Sequence, residues 1–321
     1  MTITMPARRI EQRSLRLGIW VNAVMTLAGF VAHVASGSSA LLLDGLYSAV
    51  LVGSSLMACR ISCNVVRPPD RSWPYGYDGQ EALYVLFRSL VLLGVIGFGV
   101  GSAVSSLIDW SRGGDLPLLH LQPVAAYTVT MTVLCSLLAW RHQRDWHRTG
   151  RISLLLRTEA RNARVDAVIT MATGVALLAS PLLLETPLAA IAPIVDPLLV
   201  LVVSLMLLRE PVLALTDAMA QAAGCAANPD VLLKTRTVLM QELVGLQLQM
   251  MDFTVQQLGR TAFVAVYINP LEPLDSVTVD GLRHHIDARC SAALAQPVRT
   301  EVILTQRPPI HRPDPTLQPA P

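Results

Sequence analysis

The chain has 321 residues, of which 52% are hydrophobic and 15% charged, with a formal net charge of +2 and a mean hydropathy of +0.48. Soluble domains carry about 25% charged residues, so this balance excludes an ordinary soluble globular protein and indicates a polytopic membrane protein. The five cysteines (Cys59, Cys63, Cys135, Cys225 and Cys290) form no C-x-x-C pair, which argues against a disulfide framework or a zinc ribbon.

Six apolar stretches approach the ~20 residues that a spanning helix needs. They run near Leu15–Ala35, Ser39–Val66, Ala82–Ile108, Val124–Trp140, Asn162–Leu184 and Ile194–Leu208. The first run has no small-residue cleavage site and meets a second span directly, so no secretory signal is expected. Only the turn Ser36-Gly37-Ser38-Ser39 separates the first two spans.

Arginine placement orients them. Arg8, Arg9, Arg13 and Arg16 precede the first span; Arg60, Arg67 and Arg71 follow the second; Arg141, Arg144, Arg148, Arg151 and Arg157 follow the fourth. The alternate loops hold only Arg112. Basic residues favour the cytoplasmic side, which puts both termini in the cytoplasm, with a bacterial-type inner membrane as the expected location.

The composition changes after Arg209. Asn228-Pro229-Asp230 reads as an N-cap followed by proline at the first helical position, and a helix to about Leu243 is expected. Gln247–Gln256 and Thr261–Asn269 read as strands around a turn at Leu258-Gly259-Arg260, Ser276–Leu294 as a helix and Val298–Gln306 as a third strand. The order αββαβ suits a small two-layer α+β domain. The expected organisation is therefore a membrane domain over 1–220, a cytoplasmic domain over 221–306 and a proline-rich disordered tail over 307–321.

The residue that draws the eye is Asp166, at the start of the apolar run Ala167–Leu184. A carboxylate at membrane depth costs about 2.5–3.5 kcal/mol on insertion scales, and it defaults to an ion or proton path. Asn162 stands four residues earlier, on the same helix face. The competing reading is a structural carboxylate paired with arginine, for which Arg88 in the third span is the candidate.

Several segments then resemble the cation diffusion facilitator family. They are Ser36–Ser48 with its L-L-L-D-G-L-Y-S ending, and Pro68-Pro69-Asp70 followed by Trp73-Pro74-Tyr75-Gly76-Tyr77-Asp78-Gly79-Gln80-Glu81. The Asn162–Asp166 pair and Asp196-Pro197 complete the set. The resemblance implies six transmembrane helices with a ferredoxin-like cytoplasmic domain. It further implies a homodimer that moves divalent metal cations out of the cytoplasm by proton antiport.

The family's four transport ligands fall on Tyr47, Leu51, Asn162 and Asp166. Leucine cannot bind a cation, and one carboxylate is thin for zinc; a harder ion completed by waters suits such a set. The family's loop histidines fall on Trp73 and Tyr77, and its cytoplasmic metal ligands on Met251, Tyr267 and Thr305, so no regulatory metal or cofactor is expected there.

Asp44 lies roughly 10 Å nearer the outer surface than Leu51, at 1.5 Å per residue. That is too far to share one ion with Asp166, so it reads as a second step along an ion path, or as a residue that caps and orients the second span. His33, the i,i+4 pair Cys59 and Cys63, and the glycines at 94, 97, 99 and 101 read as packing features rather than chemistry. His284 and His285 read as surface residues. The metal candidates are therefore Asp166, Asn162, Tyr47 and Asp44.

No H-E-x-x-H, phosphate loop or paired intramembrane acids occur, so an enzyme is not expected. Nor is a nucleic-acid partner. The alternative to a transporter is a transport-incompetent family member that acts as a dimer partner, with itself or with a paralogue.

Overall fold

The computed structural model describes residues 5–65, 67, 70–73, 76–114, 119–148, 154–185, 189–243, 248–259 and 261–307. The tail from 308, parts of the Pro68–Tyr75 motif, and the Cys59 and Cys63 side chains lie outside what is described.

Among the described residues, six helices are long and apolar enough to span a bilayer. They are α1 (Met5–Ser36), α2 (Ser39–Val65), α3 (Gly79–Ser111), α4 (Leu121–Arg148), α5 (Leu154–Ala179) and α6 (Val195–Ala222), with two short 3-10 turns between α5 and α6. All six expected spans are present. The helices outrun their apolar stretches because water-side backbone goes on hydrogen bonding along the helix. Thus α4 continues past Trp140 to Arg148 and α6 passes through Pro211 to Ala222.

The added turns of α4 carry their own polar packing. His142 Nδ1 meets Ser14 Oγ at 2.8 Å. Asp145, almost fully buried, lies 3.1 Å from Arg141 and 3.8 Å from Arg148.

After Ala222 come α7 (Pro229–Leu243), β1 (Leu248–Leu258), β2 (Thr261–Pro270), α8 (Ser276–Leu294) and β3 (Val298–Leu304). This is the αββαβ order read from the sequence. Strand order is β1-β2-β3, with β1 antiparallel and β3 parallel to the central β2; α8 supplies the crossover that a parallel pair requires. Ala262, Val264, Val266 and Ile268 of β2 are buried at every second residue, the period of a pleated strand. They pack with Leu239, Ile286 and Cys290 into one core. Burial pushes the Cys290 thiol up to about 11.

Helix ends follow local chemistry. Asn228 Oδ1 accepts from the Asp230 N–H at 3.1 Å to start α7, and Asp275 accepts from the Thr278 N–H at 2.9 Å to start α8. At the far end of α8, Ala295 adopts φ 53°, ψ 32°, a left-handed conformation that costs an L-residue roughly 1–2 kcal/mol. Glycine is the usual occupant of that position. Ala295→Gly is therefore expected to stabilise the domain by about 1 kcal/mol, read as a rise in its thermal unfolding midpoint.

The chain divides into two compact units. One comprises Met1–Cys59 and Phe87–Leu213; the other joins Arg60–Leu86 to Ala214–Pro321. The loop before α3 thus groups with the α+β domain. Its Asp78 lies 3.8 Å from Arg299 of β3. Gly259, at φ +60°, lies so close that an added Cβ would fall 2.4 Å from the Asp78 carbonyl oxygen.

Within that loop, Trp73 and Tyr77 stack at 5.4 Å between ring centroids. Tyr77 Oη donates to Asp70 Oδ2, while the Ser72 and Trp73 N–H groups donate to Oδ1. These bonds, the Tyr77 hydroxyl first, hold the Asp70 carboxyl below the usual carboxylate range. The two aromatic residues at the family's histidine positions therefore close the loop on itself by stacking.

Candidate functional site

Within the membrane unit, α2, α4, α5 and α6 enclose a cavity of about 40 Å³. Its polar wall is formed by Asp44 and Tyr47 of α2, Tyr127 of α4, and Asp166, Thr170 and Thr173 of α5. Leu43, Val200, Val203 and Leu207 supply much of its apolar wall. Helix periodicity explains the selection: 166, 170 and 173 are spaced i, i+4, i+7 on α5, and 40, 44 and 47 are spaced likewise on α2.

Asp44 is held in place. Tyr127 Oη donates to Asp44 Oδ2 at 2.5 Å, while Oδ1 has no hydrogen-bond partner among the described residues. The bond joins α4 to α2, and Tyr127 itself sits in the core with Met25, Val124 and Met131.

Asp166 is different. Among the described residues it forms no hydrogen bond and no ion pair, and the charged groups whose fields reach it are Asp44, Glu159 and Glu210, all acidic. The alternative pairing with Arg88 is not formed. Arg88 acts instead on Glu159 and Tyr47, and its Nε is buried without a hydrogen-bond partner. The sequence could not decide between these partners, because both lie on α5 within two turns of each other.

The four sequence candidates separate accordingly. Asp44, Tyr47 and Asp166 line one cavity. Asn162 is exposed and lines none of it, and Leu51 is likewise outside. Asp44, placed by helix rise a step away from the ion position, shares the Asp166 cavity. Helix rise separates Asp44 from Leu51 along α2 alone, whereas Asp166 stands on another helix, α5. Among the described residues no three His, Cys, Asp or Glu side chains gather as a metal cluster.

Sequence reasoning missed three polar residues of the cavity wall, Tyr127, Thr170 and Thr173. Thr170 and Thr173 were findable, four and seven residues after Asp166. Tyr127 had no local signal, being a single tyrosine in an apolar span with a partner 83 residues away in sequence.

At the end of the bundle bearing the α1–α2 turn, Asp196 of α6 accepts three hydrogen bonds. They come from Ser38 Oγ at 2.5 Å, the Ser39 N–H at 2.8 Å and the Ala40 N–H at 3.3 Å. A carboxylate from one helix thereby caps the N-terminus of another, where the helix dipole favours negative charge. His33 is satisfied at the same turn, its Nδ1 donating to the Ser38 carbonyl at 2.8 Å. His285 pairs with Glu242 at 2.6 Å on the surface of the α+β domain, beside Arg289.

Comparison with known proteins agrees with this architecture. A family model described as the cation efflux transmembrane domain matches residues 15–221. Metal tolerance protein 2 of rice (Oryza sativa subsp. japonica) is 27% identical over 261 residues, covering 72% of this chain and 62% of the relative. Magnetosome protein MamM of Paramagnetospirillum magneticum is 30% identical over 95 residues, 30% of each chain. The chain thus spans less than two thirds of the length of either relative. With six spanning helices, the matched domain and the αββαβ unit after it, this membrane protein belongs to the cation diffusion facilitator, or cation efflux, family.

Proposed function

We propose that the protein is a divalent metal cation efflux transporter, coupled to proton antiport. Family membership and the printed name of the rice relative, a metal tolerance protein, support the class of cargo. The arginine distribution supports cytoplasmic termini, and so export from the cytoplasm across a bacterial-type inner membrane. A homodimer is the assembly the family resemblance implies.

One observation carries the reading. Asp166 lines an internal, largely apolar cavity, and among the described residues it forms no ion pair with a cationic side chain. Two acids at one enclosed cavity are costly unless a proton or a cation compensates them. Exchange of one for the other is the coupling.

Reconstituted into vesicles, the purified protein is expected to take up a divalent metal when an outward proton gradient is imposed. Asp166→Ala is expected to lower that uptake at least about 100-fold, as for loss of a charged ligand worth about 3 kcal/mol. Equal uptake by wild type and variant would overturn the reading.

A second reading is a transport-incompetent dimer partner, with itself or with a paralogue. It is favoured by Leu51 and Asn162, two of the four family ligand positions, which line no part of the cavity. Wild-type protein inert to every metal tried, joined by a Leu51→Asp variant that gains zinc uptake, would select this reading over the first.

A further inference from the structure

We propose that an exposed stripe of α5 binds an anionic phospholipid. Arg157, Arg161 and Arg164 hold its phosphate, and its acyl chain lies along Val168, Met171 and Val175. None of these residues lines the cavity, so the inference stands whether or not the protein moves an ion.

Spacing makes the stripe. The six positions run i, i+4, i+7, i+11, i+14 and i+18, which a helix of 3.6 residues per turn places on one face. All six are exposed. The stripe is cationic near the start of α5 and apolar beyond, with roughly 6 Å of helix rise from Arg164 to Val168. A phospholipid presents the same order, charge first and hydrocarbon next.

The neighbouring helix sets the depth. Thr128 of α4 packs against Gly174 of α5, and the Arg157 guanidinium lies 5.9 Å from the ring centre of Trp146. The two helices are therefore antiparallel, and counting between these contacts brings Trp140 level with Asn162 and Ala163. Trp140 is exposed, with the Arg144 guanidinium 5.4 Å from its ring centre. Exposed tryptophan sits at the headgroup level of a membrane, so the α5 arginines stand at that level too. Arg164 turns toward it. Its Nε donates to the Ala160 carbonyl at 3.1 Å, one turn nearer the start of α5, as a snorkelling side chain does.

Charge then favours an anion from outside the bundle. Like charges on successive turns of one face repel, and among the described residues none of the three arginines forms an ion pair. Glu159 stands about 200° round the helix from Arg157. Asp145 of α4 is buried and already engaged by Arg141 at 3.1 Å and Arg148 at 3.8 Å. Guanidinium N–H groups bond two phosphate oxygens at once, and a lipid phosphate brings its hydrocarbon to the apolar half of the same stripe.

The test uses the purified full-length protein, stripped of lipid in detergent and titrated with phosphatidylglycerol or with phosphatidylcholine of identical chains. Bound lipid is counted by native mass spectrometry. Phosphatidylglycerol is expected to bind more tightly. Arg157→Gln, Arg161→Gln and Arg164→Gln each weaken it about fivefold, equivalent to about 1 kcal/mol for one arginine at an anionic surface, and leave phosphatidylcholine unaffected. Arg161→Lys, which keeps the charge, falls between wild type and Arg161→Gln. Arg112→Gln, at the other end of the bundle, changes nothing.

Equal affinity of the wild type for the two lipids would overturn the proposal. So would a preference untouched by the three glutamine variants, or an equal loss in Arg112→Gln. Release of bound phosphatidylglycerol by a large excess of inorganic phosphate would also overturn it, since the stripe would then be a plain anion site. The wild-type comparison and Arg161→Lys decide the matter if a glutamine variant does not fold.

Discussion

An Asp196→Ala chain is expected to lose at least about 3 kcal/mol of stability, taking about 1–3 kcal/mol for each buried donor left without an acceptor. Three donors depend on this carboxylate: Ser38 Oγ and the Ser39 and Ala40 N–H groups. Ser38 is 0% and Asp196 6% exposed, so water does not replace the lost acceptor. The damage is specific, because α2 begins at Ser39 and carries Asp44 only five residues on. A frayed first turn would move a cavity wall. Asp196→Asn keeps one carbonyl acceptor and is expected to fall between wild type and Asp196→Ala. Thermal melting in detergent, with size-exclusion profiles for monodispersity, ranks the three. Equal midpoints for all three would show that the turn is held by other contacts.

Gly29→Ala is expected to be as harmful, for a steric reason. An added Cβ would fall 2.7 Å from the Gly45 Cα and 3.0 Å from its nitrogen. Both atoms are backbone, so no rotamer change relieves the overlap, and α1 must move away from α2. Overpacking of this kind costs about 1–3 kcal/mol, occasionally more, and here it also displaces the neighbour of Asp44. Gly97→Ala is the control. No atom lies within 4 Å of the Cβ it would add, and alanine favours a helix over glycine by about 1 kcal/mol. The control should melt at or above wild type and the Gly29 variant below it. A Gly29 variant as stable as Gly97→Ala would show that the helices can separate without loss.

These two glycines also show what pattern reading misses. The sequence draws attention to Gly94, Gly97, Gly99 and Gly101 because they cluster, yet within the unit only Gly99 meets side chains from other helices, Leu43 and Val200. The tight crossing uses Gly29 and Gly45, isolated glycines on different spans whose proximity depends on how α1 and α2 pack.

Hydropathy, arginine placement and local capping were enough to read the membrane spans and the αββαβ order, because those signals lie within about 20 residues of each other. The capping reading of Asn228 held for the same reason. The importance of Asp166 was legible too, since a carboxylate among apolar neighbours is conspicuous in one dimension.

Which side chains meet Asp166 was decided only by tertiary packing. Asp44 of α2 and Tyr127 of α4 line one cavity with it, and no ion pair with Arg88 is formed among the described residues. Asp196 reaches back 157 residues to the N–H of Ser39. Backbone periodicity determines which residues share a helix face, but the contacts between faces depend on crossing geometry, which no single segment encodes.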